Sequence, residues 1–271
     1  MYVKNSDNEI NIVFFGDIFG DPGINVVKKY IDKIKVEYKP DFLIAQAENV
    51  SGRKGFRPEE YQKLKEIGID AFTLGNHVWA EESIINIIDN DDVIRPANIK
   101  NTYPGSGYRE FKVKNFTIGI VSMMGIQFNI LLNPWNEESA DDFFNKIDDI
   151  LKNHQPDFLI IDFHGETTSE KNVFSLYCDG KVSAVLGTHT HVQTNDARIL
   201  PNGTYYCTDV GMCGPHNSAI GANYKEVYEK MRYGLRAKFQ TSPNSCQINA
   251  IYFKLTKDKT KQEIKLINII E

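Results

Sequence analysis

The chain has 271 residues, 41% of them hydrophobic, enough to bury a substantial core as one large domain or two small ones. Lys and Arg number 31 against 36 for Asp and Glu, and the net charge of −5 excludes a global basic field for nucleic acid or anionic membranes. No apolar run approaches the roughly 20 residues needed to cross a bilayer, and residues 1–10 are too polar for a secretory leader, so a cytoplasmic protein is expected.

Residues 10–15 form a short apolar run ending at Gly16-Asp17, which predicts a strand opening into a loop. Pro22 starts a helix whose apolar residues Ile24, Val27, Ile31, Ile34 and Tyr38 keep helical spacing. Pro40-Asp41 breaks it before a strand at 42–47, giving a β-α-β unit with a parallel strand pair. Glu48-Asn49 leads into a loop rich in glycine and cations, where Arg53 and Lys54 read as solvated charges. A helix from Pro58 to Gly68, a strand at 71–74 closed by Gly75-Asn76-His77, and a helix through 81–88 come next.

In the middle, 108–113 and 116–121 predict an antiparallel hairpin joined at Lys114-Asn115. Ser139 is expected to cap a helix over 140–152, with His154 at its carboxyl end in a structural role. A strongly apolar strand at 158–163 ends at His164-Gly165-Glu166, and a helix near 170–177 leads to a buried strand at 182–186. That strand opens into Gly187-Thr188-His189-Thr190-His191. Two further hairpins pair 198–200 with 205–207 and 247–255 with 263–269. The loop 211–222 holds His216, which lines a pocket or simply fills the loop. With no repeat or long linker, a single domain over 1–271 is expected. Cys178, Cys207, Cys213 and Cys246 form no C-x-x-C pair and read as free thiols of a reducing compartment, zinc at Cys207 and Cys213 being the weaker alternative.

Asp17, Glu48, Asn76, His164 and His189 each fall just past the carboxyl end of a predicted strand, the edge where open α/β sheets bind ligands. On an extended segment His189 and His191 would point the same way and face one cleft. With Asn49, the set offers carboxylate, amide and imidazole donors, which suits iron, manganese or zinc; the missing thiolates argue against a structural zinc. A carboxylate such as Glu48 can bridge two ions roughly 3.5–4 Å apart, a pair that polarises a phosphoryl group and holds a hydroxide aimed in line at phosphorus. His77, beside Asn76, is then placed to protonate the leaving oxygen. Each residue alone has a plain alternative: a turn at Asp17, a helix cap at His77, a core histidine at His164. Their shared position at strand ends decides for the site.

The ordered blocks Gly16-Asp17, Glu48-Asn49, Gly75-Asn76-His77, His164 and Gly187-Thr188-His189-Thr190-His191 resemble the calcineurin-like metallophosphoesterase superfamily. Two departures, Phe19 in place of the first block's histidine and Glu48 in place of a bridging aspartate, are similar to the smaller bacterial YmdB-like family. The segment Thr208-Asp209-Val210-Gly211-Met212 also matches, so the resemblance spans nearly the whole chain. It implies a four-layer α-β-β-α sandwich of two mixed sheets flanked by helices. It implies one ion at Asp17, Glu48, Asn49 and His191, with Asn49 replacing the missing histidine, and a second at Glu48, Asn76, His164 and His189. His77 would be the general acid, and iron the metal, with manganese or zinc as alternatives.

The function expected is a dinuclear metal-dependent phosphodiesterase acting on small phosphodiesters, 2′,3′-cyclic nucleotides among them. A phosphomonoesterase or nucleotidase is the runner-up. A metal-binding regulatory or RNA-interacting protein with weak activity is the third reading; the absent histidine at Phe19 favours it and the acidic balance opposes it. The expected partner is a small phosphodiester or nucleotide, with no membrane and nucleic acid only as substrate. A homo-oligomer is compatible with the sequence.

Overall fold

The first strand, β1 (Glu9–Phe15), is buried along nearly its whole length, so it must lie between two layers rather than on a surface. The computed structural model describes residues 8–271, and the expectation for the polar start of the chain falls largely on residues 1–7, outside the described residues. After β1 come β2 (Asp17–Ile18), α1 (Gly20–Tyr38), β3 (Phe42–Gln46), α2 (Pro58–Ile67), β4 (Ala71–Thr73) and β5 (Val93–Ile94). The middle holds β6 (Tyr108–Val113), β7 (Phe116–Met124), α3 (Phe143–Asn153), β8 (Phe158–His164), α4 (Thr168–Cys178) and β9 (Ala184–Thr188). Then follow β10 (Arg198–Ile199), β11 (Tyr205–Cys207), β12 (Met212–Pro215), α5 (Tyr224–Tyr233), β13 (Cys246–Thr256) and β14 (Glu263–Ile270).

Two mixed sheets result. The first runs β2-β12-β13-β1-β3-β4-β5, with β14 added on β13. Within it β1, β3, β4 and β5 are parallel, while β13 is antiparallel to β1 and β14. The second runs β10-β11-β9-β8-β7-β6, parallel from β11 to β7 and antiparallel at both edges. Strand alternation divides the core into three slabs. Ile10, Ile12, Phe14 and Ile44 of the first sheet meet Ile118, Ile160 and Leu186 of the second. On the outer faces Val13, Phe15 and Leu43 pack on Ile24, Val27 and Ile31 of α1, while Ile161 and Phe163 pack on Ile147 of α3 and Phe174 of α4. The order of layers is therefore helix, sheet, sheet, helix, as the resemblance implies.

The local signals explain most boundaries. Pro58 opens α2, and Gly68 closes it in the left-handed conformation at φ 98°. Thr167 caps α4 by accepting from the Glu170 amide. Three expectations need correction. The helix through 81–88 is only a short 3-10 turn, Glu82–Asn86. The helix predicted over 140–152 begins at Phe143, because Asp142 rather than Ser139 accepts from the Asn145 amide and sets the start. Finally, α5 stands where the spacing anticipates no element, and Val227 is its one buried residue.

Candidate metal centre

Every residue picked from the strand ends reaches one edge of the sandwich. His164 is the last residue of β8, and His189 follows directly on β9. Around His164 Nε2 stand Glu48 Oε1 at 2.9 Å, Asn76 Oδ1 at 3.0 Å and His189 Nδ1 at 3.0 Å. The other ring nitrogen faces the protein: Nδ1 lies 2.8 Å from the Thr188 hydroxyl, which donates to Asp162, and 3.2 Å from the Gln46 amide. The ring lies directly over Gly75, where a Cβ would come within 2.2 Å of it. A glycine is needed there for the imidazole to reach the edge.

A second group forms beside the first. Asn49 Nδ2 lies 3.2 Å from Asp17 Oδ1 and 3.3 Å from His191 Nε2, and the last two atoms are 3.6 Å apart. Here the Asp17 carboxylate selects the Asn49 nitrogen as its donor; a half-turn of the amide would present the oxygen to a bound cation. Phe19 fills the place of the absent histidine and sets its ring edge-on to His191, 5.5 Å between centroids. Each carboxylate ties one oxygen to a backbone amide and turns the other toward its group. Asp17 Oδ2 accepts from the His189 amide at 3.1 Å, and Glu48 Oε2 from the His77 amide at 2.8 Å.

His189 and His191 do line one cavity as expected, but strand alternation is not the reason. Both residues have left-handed backbones, φ 99° and 65°, so they are not extended and turn to different groups. A buried ion pair fixes this bend. Lys171 Nζ donates to the Thr188 carbonyl and to Asp209 Oδ2, each at 2.8 Å, and the same Asp209 oxygen accepts from the Thr190 amide and hydroxyl. Sequence reasoning missed this pair, although Asp209 sits in the matching segment Thr208–Met212. It also missed Glu166, whose Oε2 lies 3.1 Å from His189 Nε2.

Burial alone would raise the Asp17 carboxyl, but His191 and His164 outweigh it and hold it well below the ordinary carboxylate range. Burial likewise works to raise Glu48, and His164 and His77 outweigh it downward. For His164 the signs reverse: burial lowers it, yet Glu48 and Asp17 carry it up. Burial pushes His77 down to about 4, only partly opposed by Glu48, and His189 down to about 3. Two ionised carboxylates in so buried a place demand positive charge.

The donor set fits a cation. One ring nitrogen carries one proton at most, yet three polar atoms crowd His164 Nε2 at 2.9–3.0 Å. Glu48 Oε1 is buried with His164 Nε2 at 2.9 Å as its near neighbour, a contact that lacks good hydrogen-bond geometry. Glu48, His164 and His189 offer donor atoms within 4.8 Å of one another. A cation would satisfy all of them at once, and the donors are oxygen and nitrogen only. The cysteines are all buried and free, and among the described residues none joins a metal-capable group.

The site opens into a cavity of about 950 Å³, whose floor includes Glu48, Asn49, His77, His189 and His191. Arg53 and Lys54 line it too, Arg53 partly buried and Lys54 exposed as the solvated-loop reading expects; partial desolvation pushes both below their ordinary values. His216 lies on a separate hollow of about 280 Å³ that shares His191. His154 caps α3 and stacks on Tyr108, 3.9 Å between ring centroids, a structural place as expected. Among the described residues no helix is long and apolar enough to cross a membrane.

A two-sheet sandwich with such a cluster at its strand ends defines a protein of the metallophosphoesterase class. The chain belongs to the YmdB-like protein family, whose model matches residues 13–267. It is 37% identical over 264 residues to a 2′,3′-cyclic-nucleotide 2′-phosphodiesterase of Bacillus subtilis (strain 168), covering 96% of this chain and 97% of that one. A phosphatase from Mycoplasma pneumoniae, known from its crystal structure, is 34% identical and superposes with a TM-score of 0.90 over 97% of this chain and 94% of its own. A 5′-nucleotidase precursor from Thermus thermophilus shares the fold alone: 10% identity and a TM-score of 0.60 over 97% of this chain and 54% of its own.

Proposed function

We propose that this chain is a cytoplasmic, dinuclear metal-dependent phosphodiesterase for small phosphodiesters, 2′,3′-cyclic nucleotides first among them. The observation that carries this reading is the pair of adjoining oxygen and nitrogen donor groups at the cavity floor, with the buried Glu48 Oε1, Asn76 Oδ1 and His189 Nδ1 all crowding His164 Nε2. Glu48, Asn76, His164 and His189 would hold one ion; Asp17, Asn49 and His191, with Glu48 shared, would hold the other. The Glu48 oxygen that accepts from the His77 amide keeps a second lone pair, which leaves it free to be shared. Iron is the metal proposed, with manganese or zinc able to take its place. Bound ions would supply Lewis-acid polarisation of the phosphoryl group and a nucleophile from water at neutral pH.

The residues of the chain do the rest. Arg53 and Lys54 draw the anionic diester onto the floor. Hydrolysis adds water across a P–O bond, and the leaving alkoxide takes a proton. His77 borders the cavity with its backbone amide held by Glu48, and its ring would give that proton. In the free site its imidazole is neutral at pH 7, and the negative charge of a bound phosphoryl group favours the protonated form.

The test joins two measurements on protein purified without chelator or air: metal content, and turnover of 2′,3′-cyclic AMP beside its monoester product. Bound transition metal with turnover of the cyclic diester is expected. Faster turnover of the monoester would make the protein a phosphomonoesterase, and metal-free protein with neither activity would overturn the reading.

A further inference from the structure

The cavity has a second wall that the chemistry above does not use. Tyr224, Val227, Tyr228, Met231 and Arg232 of α5 all line it. Their spacing (i, i+3, i+4, i+7, i+8) is that of the helix face that ordinarily packs on a core. Here that face meets open space: Tyr224 is 63% exposed and Met231 83%. Phe239, just beyond the helix, completes the wall.

The wall is also basic. Between Tyr224 and Gln240 the chain carries five lysines and arginines against two glutamates, within a protein of net charge −5. Lys230 lies 5.0 Å from the Phe239 ring centroid, Arg53 reaches the same ring at 5.2 Å from the facing loop, and Arg232 lies 5.8 Å from Tyr228. None of the ion pairs among the described residues engages Arg53, Lys54, Lys230 or Arg232. Tyr224 is exposed and stacks on the half-buried Tyr228 at 5.5 Å between centroids, and the half-buried Phe239 lies beside them on the cavity. Aromatic rings interleaved with unneutralised cations are the chemistry that holds single-stranded nucleic acid: rings stack on bases, cations follow phosphates. The volume, about 950 Å³, stands near the top of the roughly 300–1,000 Å³ range of small-ligand pockets.

We infer that the α5 wall binds the nucleotides preceding a terminal phosphate, so that the ligand is the 3′ end of a short single-stranded oligoribonucleotide and not a mononucleotide alone. This rests on the phosphodiesterase reading in one respect: a 2′,3′-cyclic phosphate leaves only the 5′ side of its nucleoside open to chain extension. The terminal phosphate lies on the metal floor, and the preceding base stacks against Tyr228 and Phe239.

The test is calorimetric binding of three probes that carry no phosphodiester at the terminus: adenosine 3′-phosphate and the 3′-phosphates of the adenylyl dinucleotide and trinucleotide. Affinity should rise about 10-fold from the first to the second. Tyr228→Ala and Phe239→Ala should each abolish most of that rise, and Arg232→Ala should flatten its salt dependence. An affinity independent of length in the unaltered protein overturns the inference. So does a flat length series with a dimer in sedimentation velocity that Tyr228→Ala dissolves, since a second copy would then cover the wall. Turnover of 2′,3′-cyclic AMP is measured separately. Turnover with a flat series refutes only the oligonucleotide site, whereas a length-dependent series without turnover refutes the phosphodiesterase reading and keeps the site.

Discussion

The floor and the far wall of the cavity are built on opposite plans. At and beneath the floor, Asp17, Glu48 and His164 are fully buried, and their free atoms are aimed by backbone amides, a threonine hydroxyl and the ends of strands. On the wall, α5 buries only Val227 and leaves tyrosine, methionine and arginine side chains facing open space. Groups that hold charge at fixed separations need rigid support, because a small misplacement is costly. Groups that stack on varied bases need exposed surface and little else.

That contrast can be broken most decisively at the floor. Asp17→Asn and His189→Ala should each strip metal from the protein and abolish turnover, as read by elemental analysis beside hydrolysis of 2′,3′-cyclic AMP. Full metal retention in both would remove the floor's proposed role. His77→Ala should keep the metal while lowering kcat by roughly 10²–10⁴ on a substrate with a poor leaving group. Unchanged turnover there would end its assignment as the acid.

Lys171→Met sharpens the comparison through support rather than contact. It leaves Asp209 buried without its cation and frees the Thr188 carbonyl, so a loss of about 3–5 kcal/mol is expected in denaturant unfolding. A change below about 1 kcal/mol would mean that the bend carrying His189 and His191 is held by other contacts. The smallest effect belongs to the wall: Met231→Ala should alter unfolding stability by no more than about 0.5 kcal/mol, because its side chain is mostly exposed. A larger loss would show α5 to be part of the structural frame.

The floor was the legible part of the sequence. Asp17, Glu48, Asn76, His164 and His189 each follow an apolar run short enough to be a strand, and parallel strands bring their carboxyl ends to one edge. The wall was not legible. The stripe Tyr224, Val227, Tyr228, Met231, Arg232 has helical spacing, but the segment is short, charged and far from other pattern signals. Lys171 was equally hidden, since a lysine on a helix reads as solvated until the fold closes over it.

By itself the sequence determined most of the elements and which side chains arrive at the strand ends, because burial period and chain breakers are local properties, though α5 escaped it. The tertiary structure decided how those side chains face one another. His189 and His191 diverge because the backbone turns left-handed under the hold of Lys171 and Asp209, and Asn49 stands between Asp17 and His191 because two distant loops meet. Such placements depend on contacts between residues from 32 to 142 positions apart, which no local pattern encodes.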